Sequence, residues 1–174
     1  TNYKYSTNGS TYTALNPSST TSPFTISGLT NGTTYSVTIK AVNSAGDSVA
    51  SNSVSVTPFG APGTPDLATA SDLGSSSIDN NTADDTPTIN IGSGLLNGAT
   101  VTLTATPGSG DPVTCTFTAT STSGSCTFTS LPNETYSITA SQTSSGVTSA
   151  ASSALTNVVI GFSSKLLFGY LIHP

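Results

Sequence analysis

Arginine, tryptophan and methionine are absent from the 174 residues, histidine occurs once, and charged side chains make up 6% of the chain with a net charge of -5. Each absence excludes something. Phosphate recognition needs clustered Lys or Arg, and Lys4, Lys40 and Lys165 are scattered. Nucleic acid is excluded as a partner, as are acidic polysaccharide and anionic lipid. The one imidazole, His173, is penultimate and leaves no base to activate a Ser or Cys nucleophile. "GSGLLNG" has neither the Lys nor the following helix of a phosphate loop. The residues therefore imply no enzyme and no catalytic group. No apolar run approaches the roughly 18 residues of a membrane span. No signal segment is visible, and the missing Met implies a fragment or a processed piece.

What is present is hydroxyl-rich and periodic. Ser and Thr exceed a third of the residues, yet Val, Ile, Tyr and Phe recur at regular intervals. In "TYSVTIKAV", Tyr35, Val37, Ile39 and Ala41 share one face and Ser36, Thr38 and Lys40 the other, which is the period of a half-buried strand. Tyr3 and Tyr5, Phe24 and Ile26, and Val54 and Val56 alternate in the same way. In the second half the series runs through Ile89 and Ile91, Val101 to Ala105, Val113 to Phe117, Cys126 and Phe128, and Tyr136 to Ala140. It closes less regularly with Leu155, Val158 and Ile160. Turn signals at Asn97-Gly98, Pro107–Pro112 and Pro132-Asn133 separate these runs. The expected fold class is all-β, as antiparallel sandwiches.

The halves echo each other. "GLTNGTTYSVTIKAV" and "SLPNETYSITASQT" both place a Leu before a turn and a Tyr at the start of the next strand. Leu29 with Tyr35, and Leu131 with Tyr136, suit a tyrosine corner, in which the hydroxyl bonds back to the main chain. With Tyr3, Tyr5 and "AVNSAGDSVASNSVSVTP", residues 1–58 resemble the C-terminal part of a fibronectin type III domain. Residues 62–160 resemble a bacterial immunoglobulin-like repeat, through "PDLATASDLGSSSIDNNTADDTPTI" and "NGATVTLTA". The resemblance implies two tandem immunoglobulin-like sandwiches, the first lacking its two N-terminal strands and the core Trp that the second of them usually carries. The expected organisation is a partial domain at 1–58, an acidic linker and domain start at 59–86, a sandwich at 87–160 and an apolar tail at 161–174. A half-sandwich would leave its inner face wet. Either the strands were cut away, or a neighbouring copy supplies them, or the half packs differently.

Three features are candidate sites. Asp66, Asp72, Asp79, Asp84 and Asp85 crowd the joint, and a segment dense in oxygen ligands could hold Ca²⁺ and stiffen it; the bland reading is Asp residues capping turns. No other cofactor is implied. Cys115 and Cys126 share parity with Phe117 and Phe128, so a hairpin centred near Thr120-Ser121 would set them opposite each other for a disulfide. The tail gathers Leu166, Leu167, Phe168, Tyr170, Leu171 and Ile172. It reads as an incidental end, an ordinary last strand, or a donor strand for the next subunit.

The resemblance implies an extracellular setting, on a cell surface or a virion, since such repeats occur in large surface and biofilm adhesins and on phage virions. The leading function is a stalk or spacer whose partners are neighbouring domains of a longer chain. The alternative is a self-assembling filament or virion subunit whose partners are copies of itself. A third reading is a carbohydrate-binding module, for which Tyr12, Phe59 and Tyr170 are the aromatic candidates.

Overall fold

The alternating segments become ladders in the computed structural model, which describes residues 1–74 and 76–161. No helix occurs among the described residues. The chain divides into two units, Thr1–Phe59 and the residues from Gly60 onward.

The first unit holds β1 (Asn2–Ser6), β2 (Thr13–Ala14), β3 (Tyr35–Asn43), β4 (Gly46–Asp47) and β5 (Val54–Val56). They form one sheet in the order β2-β1-β3-β4, with β5 also on β3. Register fixes which side chains share a face. Tyr3 stands opposite Ala41, Tyr5 opposite Ile39, Val54 opposite Val37 and Val56 opposite Tyr35, so the apolar residues gather on one side. Lys4 stands opposite Lys40 on the other, where Lys4 pairs with Asp47 at 2.9 Å.

The strand expected at Phe24 and Ile26 does not join a ladder. Phe24 stacks on Tyr3 with ring centroids 5.9 Å apart and Gly28 turns the segment at φ +77°, but among the described residues no second sheet stands beside it. A strand is held by its neighbours' amides and carbonyls, and among the described residues of this unit nothing supplies them. The consequence shows in burial. Tyr3, Tyr5, Phe24, Ile26, Leu29, Val37 and Ile39 are all only half-buried, and Val54 is 60% exposed.

The second unit is closed. Its strands are β6 (Pro65–Leu67), β7 (Asn81–Thr82), β8 (Thr88–Ile91), β9 (Thr100–Pro107), β10 (Val113–Thr118), β11 (Gly124–Thr127), β12 (Thr135–Ser144), β13 (Val147–Thr148) and β14 (Leu155–Ile160). One sheet runs β10-β9-β12-β14-β7 with β13 on β12, and the other runs β11-β8-β6. Between them lie Ile89, Ile91, Val101, Leu103, Phe128, Leu131, Ile138, Val158 and Ile160, each 1% exposed or less. Burial of such side chains stabilises by about 1.5–3 kcal/mol each relative to exposure. Gly124 has no side chain because the Phe117 ring occupies the place of its Cβ.

The expected acidic linker is largely part of this sandwich: β6 lies in the smaller sheet beside β8, and β7 pairs in parallel with β14. The irregularity expected near Leu155 is a register shift in the β12–β14 ladder, where Asn157 adopts φ +60°.

The sheet of the first unit repeats the topology of the larger sheet of the second. β2, β1, β3, β4 and β5 repeat the order of β10, β9, β12, β13 and β14. They share a local device as well. Where the last strand leaves the ladder, serine hydroxyls replace it. Ser48 donates its N–H to the Ala41 carbonyl and accepts the Ala41 N–H on Oγ; Ser51 does the same to Ile39. In the second unit Ser149 engages Gln142, and Ser152 engages Ala140, in the same two bonds. Each hydroxyl then donates to the carbonyl of its next residue. Burial separates the two cases, since Ser152 is buried and Ser51 exposed. Ser152→Ala leaves the Ala140 amide without its acceptor and is expected to destabilise the second unit by about 1–3 kcal/mol. Ser51→Ala, where water takes over, should cost under about 0.5 kcal/mol. Urea unfolding of each variant, followed by exchange at the Ala140 and Ile39 amides, measures both.

Candidate functional site

Among the described residues, a disulfide, two tyrosine corners and a buried glutamine tie parts of the structure together. Cys115 and Cys126 form a disulfide with Cα atoms 6.1 Å apart. They do not face each other across a hairpin, as their spacing suggested. Cys115 lies on β10 opposite Leu103, and Cys126 on β11 opposite Ile89, so the bridge joins the two sheets. Residues 119–123 cross from one sheet to the other, which a hairpin reading of the same spacing does not anticipate. The bond clips together two edge strands, the positions where a sandwich opens first.

Both tyrosine corners are present, with opposite polarity. In the first unit the Thr30 N–H donates to the Tyr35 hydroxyl at 3.0 Å. In the second the position of Thr30 is taken by Pro132, which has no N–H. There the Tyr136 hydroxyl donates to the Pro132 carbonyl at 2.9 Å. The environments pull the phenols apart. Hydrogen bonds from the Thr30 main chain, reinforced by the Thr30 and Thr33 hydroxyls, hold Tyr35 below the ordinary phenol value. Burial, and then the charge of Glu134, push Tyr136 above it. Leu29 is half-buried while Leu131 is fully buried, in keeping with the open first unit and the closed second one.

The five aspartates do not converge. Among the described residues no three His, Cys, Asp or Glu side chains come together as a metal site. Asp66 is exposed on β6. The Asp79 carboxylate accepts the Asn81 N–H, holding the turn at Asn80, whose φ is +58°. Partial burial works to raise the Asp84 pKa, but the Thr86 N–H, the Thr86 hydroxyl and Ser71 outweigh it and hold the carboxyl below its usual value. Asp85 is exposed, and Asp72 is buried with Oδ1 making no hydrogen bond. The local geometry at Asp79 and Asp84 is that of turn caps.

Tyr12 is engaged within its own unit. Its ring lies under the Lys40 ammonium at 4.3 Å and its hydroxyl bonds Thr38 at 2.9 Å. Lys40 thus sits on the outer face, as parity placed it. The tail residues Leu166, Leu167, Phe168, Tyr170, Leu171 and Ile172 lie outside the described residues, together with His173.

One tie was not anticipated. Gln142 is fully buried at a core position of β12. Its amide donates to the Gly60 and Gly94 carbonyls and accepts the Leu96 N–H, at 2.8–2.9 Å. It clasps the first residue of the second unit to the loop before β9. A signal existed: Tyr136, Ile138, Ala140 and Gln142 keep one parity, and a polar side chain at a core position needs partners.

Residues 60–160 match the family model described as Bacterial Ig-like domain, and residues 3–57 match that of the Fibronectin type III domain. The chain belongs to the bacterial Ig-like domain family, with a fibronectin type III segment ahead of that domain. No curated protein matches it. Among solved structures it is similar to the crystal structure of chicken CNTN1 FN1-FN3 domains, at 13% identity and a TM-score of 0.43. That match covers 91% of this chain and 54% of the other, so the chain spans about half its length. Modules of these two kinds are typically non-catalytic and structural or adhesive, and with a disulfide they suggest an extracellular setting.

Two outcomes are expected from the ties. Ring resonances followed by NMR through alkaline pH should show Tyr35 ionising below about pH 10 and Tyr136 above it. Tyr136 then contributes stability that is present below the unfolded value and lost as pH rises through its folded one. The depressed Tyr35 has the opposite sign. Reducing the disulfide frees a loop 11 residues apart in sequence and should cost the second unit about 3 kcal/mol, read as a fall in the urea midpoint.

Proposed function

We propose that this chain is a spacer segment of an extracellular repeat protein, giving reach and stiffness while adhesion is located elsewhere. The observation that carries this reading is the pair of modules in tandem, one of them closed by a bond between its sheets. The corner hydroxyl of Tyr136, the Gln142 amide and the disulfide each hold one part of the second unit to another. Few charges and many hydroxyls suit a surface that stays soluble and attracts neither polyanions nor polycations.

The engagement of Tyr12 with Lys40 and Thr38 counts against the carbohydrate-binding alternative, because a sugar platform needs a free ring face. The test is a binding screen of the 174-residue chain on immobilised glycans and surface proteins. The spacer reading expects no saturable binding. Saturable glycan binding that disappears in Tyr12→Ala overturns it in favour of a carbohydrate module.

A further inference from the structure

The edge of a sheet carries unpaired main-chain groups, and folded chains blunt it with charge, Pro, a bulge or brevity. The second unit does so at most of its edges. β7 and β13 are two residues long, and β7 follows a left-handed residue, Asn80 at φ +58°. β6 is three residues long, begins at Pro65 and carries Asp66. β11 is four residues long and begins at Gly124. β10 is the edge of the larger sheet on the other side, and it has none of these devices. Its six residues, Val113–Thr118, hold no charge, no Pro and no shift of register against β9.

The ladder decides which groups are free. Just past β10, the Ala119 N–H donates to the Ala99 carbonyl, in register with the β10–β9 pairs. Antiparallel pairs alternate between bonded and non-bonded, so Val113, Cys115 and Phe117 direct their main-chain groups to β9. Thr114, Thr116 and Thr118 direct theirs to the open side, where no further strand lies among the described residues. The side chains alternate as well. Those three threonines are exposed, while the Phe117 ring packs on Gly124 and Cys115 is bonded to Cys126. The disulfide thus holds this edge in place by its inner side and leaves its outer groups uncovered.

We propose that the β10 edge is a pairing site for β10 of a second copy of this chain, antiparallel and two-fold symmetric about Thr116. The strand is its own complement. With Thr116 opposite its copy, Thr114 meets Thr118 and Cys115 meets Phe117, so each free N–H of the three threonines finds a free carbonyl. Hydroxyl then lies beside hydroxyl on the outer face, a favourable cross-strand pair. No like charges are brought together. The nearest charge in sequence, Asp111, is five residues from the axis, so its two copies fall at opposite ends of the paired strands. A two-fold contact uses the same surface on both chains and closes as a dimer rather than growing into a fibre. Six residues of strand cover less than the roughly 1,200 Å² of a stable interface, so the dimer is weak and forms where chains are crowded. It joins two chains through their second units, and the spacer reading does not depend on it.

The test is sedimentation of the 174-residue chain from micromolar to millimolar concentration, with NMR on a mixture of differently labelled copies. A monomer–dimer equilibrium is expected, with a midpoint near about 1 mM. Contacts between Thr114 of one copy and Thr118 of the other should appear with it. Amide exchange at Thr114, Thr116 and Thr118 should slow at least about twofold at the highest concentration. Thr116→Lys sets a like charge against itself at the axis and should abolish the dimer. Unchanged exchange at Leu103 and Ile138 shows that the sandwich is still folded. Thr116→Pro removes one free N–H and should weaken the dimer at least about tenfold. Thr135→Lys, an exposed position at the start of β12, should leave it unchanged. A chain that stays monomeric through millimolar concentration overturns the proposal. So do oligomers that outgrow a dimer, or a dimer that persists in Thr116→Lys or is lost in Thr135→Lys.

Discussion

An apolar sheet face must be covered, and the cover must itself be hydrogen-bonded. Much of what differs between the two units follows from whether that is satisfied. In the second unit the three strands β11, β8 and β6 lie over β9 and β12, and Val101, Leu103 and Ile138 disappear from solvent. In the first, a sheet of the same order has, among the described residues, the segment around Phe24 beside it, and its tyrosines and valines stay half wet. Strand order is shared; burial is not. The same serine device occurs in both, on a buried strand in one and a half-buried one in the other.

The ties act on that cover. The Cys115–Cys126 bridge fastens an edge of one sheet to an edge of the other, so neither can peel away alone. Tyr136 bonds the turn that follows β11 to the start of β12, a central strand of the opposite sheet. Gln142 fastens the start of the unit to the same core strand. A pulling force that enters at Gly60 therefore meets the buried β12 amide early. These ties are what the proposed spacer role draws on.

The strands were legible because alternation is local. Tyr35 to Ala41, Val101 to Ala105 and Tyr136 to Ala140 show the period of two within a few residues, and β3, β9 and β12 lie on them. The corner tyrosines were legible for the same reason, as was the pairing of the two cysteines. What depends on distant chain was not. The crossing of residues 119–123 between sheets, and so the place of the disulfide, is decided by β8 and β9 rather than by the cysteine spacing. Phe24 and Ile26 alternate as well as Val54 and Val56 do, but alternation does not show whether a neighbouring strand is there to pair with. Gln142 reads as one more polar residue until Gly60 and Leu96 are seen beside it. Asp79 and Asp84 suggested cation ligands by density alone, and the structure uses them as caps on two turns.

The central claim is that the second unit is a closed sandwich and the first, in a dilute solution of single chains, is not. Native-state hydrogen exchange on the dilute 174-residue protein tests it directly, because it reports opening free energy strand by strand. The account expects amides of Leu103, Ile138 and Ala140 to exchange only through global unfolding of their unit, and those of Tyr5, Val37 and Ile39 to exchange far faster through local opening. Equal protection in β3 and β12, with Phe24 and Ile26 slow in the monomer, would contradict it.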